Sequence, residues 1–87
     1  MATKQFKIGE YIVGGIIRVN VSETEVEVKF QDYFTKEDVI SETFNPKGDN
    51  AYRDIMNFIE DNGTHYHADK VVKYIESKVE LKPLFGW

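Results

Sequence analysis

Two histidines and an aspartate alternate in His65-Tyr66-His67-Ala68-Asp69, the one run in the chain that gathers metal-ligand side chains at short spacing. On extended backbone, positions 65, 67 and 69 point the same way, so two imidazoles and a carboxylate would converge as a Zn²⁺ or Fe²⁺ set. With a helix starting at Ala68, Asp69 leaves that line and only the imidazoles remain. The expectation is therefore a polar inter-helix loop with Thr64 as helix cap and no metal. A second feature is acidic. Glu23, Glu25 and Glu27 alternate with Thr24, Val26, Val28 and Phe30, which sets them on one face of an expected strand. Residues two apart on a strand lie about 6.6–6.8 Å from each other. Successive phosphates of a DNA strand are similarly spaced, because an axial rise of about 3.4 Å is combined with winding. Three carboxylates in a row would imitate phosphate backbone, although alternating charge also serves simply to keep an exposed sheet face wet. Glu60 and Asp61 sit at the C-terminus of an expected helix, where the helix dipole disfavours negative charge. Glu23, Glu25, Glu27, Glu60 and Asp61 are the candidate partner-binding residues.

Other chemistries lack their parts. Cysteine is absent, and none of the serines at 22, 41 and 77 stands in a Gly-x-Ser-x-Gly elbow. No Gly-x-Gly-x-x-Gly or Walker-type loop occurs, and Gly14-Gly15 interrupts an expected strand instead of opening a helix. His65–Asp69 resembles the His-x-His-x-Asp-His motif of metallo-β-lactamase-like hydrolases, but Lys70 stands where the second-metal His belongs. No enzyme and no cofactor are expected. Lys29, Phe30, Tyr33 and Phe34, with Lys4, Lys7 and Arg18, hold the residue types of an RNA-binding sheet. Phe30, however, shares the parity of Val26 and Val28 and belongs to the core. A net charge of −4 further opposes direct nucleic-acid binding.

The elements that must position these residues follow from the apolar pattern. Nine Val and eight Ile against two Leu favour a sheet-dominated core. A period of two runs through Tyr11, Val13, Ile17, Val19 and Val21, then through Thr24 to Phe30, and an extended segment is expected from Val39 to Phe44. Phe6 and Ile8 add a short fourth strand or an extension. Gly14-Gly15 marks a bulge, a bend or a close backbone approach. After Asn45-Pro46-Lys47-Gly48-Asp49 the period changes. Ala51, Tyr52, Ile55, Met56 and Ile59 form a helical stripe, with Asp49 or Asn50 as N-cap and Gly63 as left-handed C-cap. A second helix over 68–82 carries Ala68, Val71, Val72, Ile75 and Val79 and stops before Pro83; its Val/Ile content also admits a strand. The reading is an α+β fold: a small antiparallel sheet of three or four strands, then two helices packed on one face.

Eighty-seven residues with 41% apolar and 30% charged side chains suit a single domain spanning 1–87. No apolar segment is long enough to cross a bilayer and no secretory leader is evident, so a cytoplasmic protein is expected. In size, acidity, lack of Cys and mixed α/β character the chain resembles the small inhibitor proteins of phages and mobile elements, such as anti-CRISPR and anti-restriction proteins. That resemblance implies a protein partner with a basic surface, such as a nucleic-acid-processing enzyme. The alternative is an interaction module acting through the apolar tail Leu84–Trp87 or a free sheet edge, including as a homodimer. A small metal-binding domain using His65 and His67 is a third reading.

Overall fold

The computed structural model describes residues 2–7 and 13–81. Six elements follow one another: β1 (Ala2–Lys7), β2 (Gly15–Val21), β3 (Val26–Asp32), β4 (Asp38–Phe44), α1 (Ala51–Asn62) and α2 (His65–Glu76). The strands form one antiparallel sheet in the order β1-β2-β3-β4. This is the expected α+β class, with the segment around Phe6 supplying the fourth strand and no strand at 70–79.

Pairing fixes the two faces of the sheet. Phe6, Ile17, Phe30 and Ile40 stand in one cross-strand row, and Lys4, Val19, Val28 and Glu42 in the next. Side chains directly opposite share a face, so this side gathers Ile17, Val19, Val21, Val26, Val28 and Phe30 into the core. Both helices cover it, α1 through Ala51, Ile55, Phe58 and Ile59, α2 through Ala68, Val71, Val72 and Ile75. The Phe58 ring meets Phe30 edge-on at 5.5 Å and Phe44 at 5.8 Å, which seats α1 over β3 and β4. Tyr74 meets Phe6 at 6.2 Å, which seats α2 over β1. Val19, Val26, Val28, Ile55, Ile59, Val72 and Ile75, the expected core, are all at most 2% exposed. Tyr52 departs from expectation and is exposed, because the face of α1 turned to the sheet is centred toward Phe58, on the opposite flank of Ile55.

Gly14 and Gly15 are a bend and a close approach at once. Their φ angles are +76° and +102°, and a Cβ on Gly14 would collide with the carbonyl oxygen of Gln31 and stand 2.7 Å from its carbonyl carbon. The Gly14 carbonyl accepts from Tyr33 N at 2.7 Å, and Val13 N donates to the Asn62 carbonyl at 2.8 Å. The strand expected from Tyr11 thus begins at Gly15; Tyr11 and the tail Leu84–Trp87 lie outside the described residues.

The second helix is displaced toward the N-terminus. It starts at His65, not Ala68, because Thr64 Oγ1 accepts from His67 N at 3.2 Å and satisfies a first-turn donor. It closes at Glu76, where Ser77 N and Lys78 N bond back to Lys73 and Ile75 carbonyls. Gly63 is extended (φ −158°) and not left-handed. With only Gly63 and Thr64 between the helices, the backbone must already be reversing there. At the start of α1, Asn50 occupies the cap position without a side-chain cap bond. Among the described residues no helix is long and apolar enough to cross a membrane.

Candidate functional site

Helix α2 separates the histidines. Two residues along a helix rotate the side chain by about 200°, so His65 and His67 face away from each other. His65 Nδ1 lies 2.8 Å from Glu60 Oε2 on the surface. His67 is 4% exposed, with Nδ1 2.8 Å from Thr64 Oγ1. Burial, followed by the positive charge of Lys70, holds its pKa below the ordinary imidazole value. Asp69 pairs with Lys73 one helical turn on, at 3.1 Å. Each potential ligand is committed to a partner of its own, and among the described residues no three His, Cys, Asp or Glu side chains gather as a metal set.

The acidic row does not form as expected. Val21 and Val26 are the last pair of β2 and β3, so Glu23 and Glu25 lie in the connection and only Glu27 is in a strand. Ser22 closes that turn: its N–H donates to the Glu25 carbonyl at 2.8 Å, and Glu25 N donates to Ser22 Oγ at 3.1 Å. With the strand interrupted, the alternation that would have aligned the three carboxylates is lost. Glu27 belongs to a polar ladder across the face the helices leave open. There Thr3 donates to Asn20, Asn20 to Glu27, and Lys29 stands 3.8 Å from Glu27 and 3.3 Å from Asp38. A hydrogen bond from Gln31, aided by Lys29, draws the Asp38 carboxyl below the usual range. This ladder is mixed in sign. By register it presents no aromatic ring among the described residues, so it offers no base-stacking platform.

Glu60 and Asp61 part company as well. The Glu60 carboxylate is met by His65, which accounts for an acid at a helix C-terminus. Asp61 instead lines a groove of about 610 Å³ between β4 and α1, together with Glu42, Asp49 and Asp54. Its floor is Phe44, Phe58 and Ala51, and among the described residues no Lys or Arg lines it. Asp54, Asn57 and Asp61 recur at helical spacing beside the core stripe of α1, while Glu42 rises from β4 on the helix-covered face. One end of the groove is near the Glu23–Glu25 turn, since Val26 pairs with Phe44; the other points toward Asn62, where Val13 docks. Sequence reasoning named Asp61 and missed Glu42, Asp49 and Asp54. The i,i+7 acids flanking an apolar stripe were visible, but nothing in the sequence set α1 beside β4.

At the far end of β4, the β3–β4 hairpin is rigid and carries exposed rings. Asp32 Oδ1 accepts from Phe34 N at 2.8 Å and Thr35 N at 3.0 Å. These backbone donors, Thr35 first, draw the Asp32 pKa down. Lys36 takes φ +64° to close the turn, and Phe34 is left 87% exposed beside Tyr33. Comparison with family models, curated proteins and solved structures finds no match to this chain.

Proposed function

We propose that this is a non-enzymatic binding protein that inhibits or regulates a protein partner by occupying a basic, nucleic-acid-binding surface. The observation that supports this reading is the β4–α1 groove, where Glu42, Asp49, Asp54 and Asp61 come together with no Lys or Arg lining it among the described residues. Among the described residues only Asp54 of these four is in an ion pair, with Arg53 Nε at 3.9 Å, near the limit of contact. Asp54 and Asp61 stand about 10 Å apart along α1. Glu23 and Glu25 extend the negative surface beyond one end of the groove. Carboxylates grouped on a partly apolar floor concentrate negative potential, steer a cationic surface toward the site and repel nucleic acid. The reading requires no metal or cofactor, and it assigns Glu27 and Glu60 lesser parts because Lys29 and His65 already hold them.

The test compares two variants with selected carboxylates neutralised against the wild type in pull-downs from the cell that encodes it. One changes Glu42→Gln, Asp49→Asn, Asp54→Asn and Asp61→Asn; the other changes Glu23, Glu25 and Glu27 to Gln. The wild type is expected to retain a partner that is released by added salt and by competing duplex DNA. The groove variant should lose at least tenfold in affinity and the turn variant less. A partner held equally by all three proteins, or one indifferent to salt and DNA, refutes the reading.

A further inference from the structure

The two edges of the sheet differ in a way that bears on how a basic partner is held. β1 carries the exposed Lys4, the residue type that commonly guards an edge against strand addition. β4 (DVISETF) carries neither Lys nor Pro, and it exposes two β-branched apolar side chains, Val39 at 53% and Ile40 at 38%. Among the described residues it is the last strand of the sheet, so from Ile40 to Phe44 alternate residues direct N–H and C=O groups away from β3. A register shift leaves Val39 unpaired and breaks the alternation toward Asp38. The acid-lined groove lies beside the C-terminal half of this edge, at Glu42, Thr43 and Phe44, and is bounded on the other side by α1.

We propose that β4 receives an extended segment of the partner as a fifth strand, with Lys or Arg side chains of that segment rising under Asp54 and Asp61. This deepens the reading above and rests on it. A strand added to β4 would send every second side chain toward the helix layer, at intervals of about 6.6–6.8 Å. Those side chains enter a groove whose acids come from β4 (Glu42), from the connection to α1 (Asp49) and from α1 itself (Asp54, Asp61). The opposite parity packs beside the open-face row of Ser41 and Thr43. Backbone bonds supply affinity without regard to sequence, and the groove selects cations at alternate positions. A second copy of this chain fits the edge poorly, because two β4 strands would bring Asp38, Glu42 and the groove acids of one copy against those of the other.

The probe is a synthetic peptide alternating Lys and Val, titrated into isotope-labelled protein and followed by amide shifts and hydrogen exchange. Alternate amides of β4 should gain protection while those of β1 do not. Asp54→Asn with Asp61→Asn should weaken binding at least tenfold with thermal melting unchanged. The same peptide N-methylated at the positions facing β4 keeps its charge and should also lose at least tenfold. Absence of binding, protection at β1 instead, or equal affinity of the methylated peptide overturns strand addition. A rise in particle mass without peptide, with β4 protected, identifies a second copy as the occupant and likewise overturns it. If the methylated peptide binds fully and the acid variants still fail, strand addition falls alone and the basic-partner reading stands; if the pull-down fails, that reading falls.

Discussion

Gly14→Ala tests how the sheet is joined to the helix layer. At φ +76° an L-residue meets its own carbonyl, a cost of about 1–2 kcal/mol. The added Cβ would also strike the Gln31 carbonyl, 2.7 Å from its carbon, and approach Asp32 N to 3.2 Å. These are backbone atoms in a central strand and cannot turn aside like a flexible side chain. Relief requires moving Gly14 away from β3, which gives up the 2.7 Å bond from Tyr33 N, worth about 0.5–1.5 kcal/mol. Together the loss is about 1.5–3.5 kcal/mol, against roughly 4–13 kcal/mol expected for a chain of this length. With a urea slope of about 1–3 kcal/mol/M, the unfolding midpoint should fall by about 1–2 M. Gly48→Ala is the control: a Cβ there meets the Asn45 carbonyl at 3.1 Å with no left-handed φ, and should cost under about 1 kcal/mol. If both variants unfold at the wild-type midpoint, Gly14 does not pass against Gln31 and the account of this junction is wrong.

Two further outcomes follow from the core and the helix cap. Ile55→Ala, at a fully buried site beneath α1, should lose about 2–5 kcal/mol in urea or thermal unfolding; a loss under about 1 kcal/mol would mean α1 does not pack as described. His67 is held neutral by burial, its pKa below the ordinary 6.5. As pH falls through 6.5 the unfolded chain takes up the proton first, so stability is full above that value and is lost between it and the lower folded pKa. Unfolding midpoints measured on either side of 6.5 should show this loss in the wild type and a smaller one in His67→Gln; equal losses would contradict it.

Much of the fold was legible in the residues themselves. Period-two Val and Ile announce strands, the turn-rich 45–49 segment separates them from helical spacing, and the burial of Val19, Val28, Ile55 and Ile75 follows from those periods. Gly14-Gly15 was recognisable because only a few backbone situations require paired glycines. Local chemistry was harder to place. The acidic row does not align because Ser22 closes a turn, and the loop expected at His65–His67 is instead the first turn of α2 because the Thr64 hydroxyl caps the helix there. Each boundary moved by a few residues, and on a strand or helix that reassigns every side chain beyond it. The β4–α1 groove belongs wholly to the tertiary structure. Asp54 and Asp61 share a helical period, but residues 42 and 49 lie outside that helix, and the four come together only because Phe58 packs on Phe30 and Phe44, so that α1 settles over β3 and β4. A sequence period reports which face of an element avoids water; which neighbour covers that face is decided by side-chain packing across the layers.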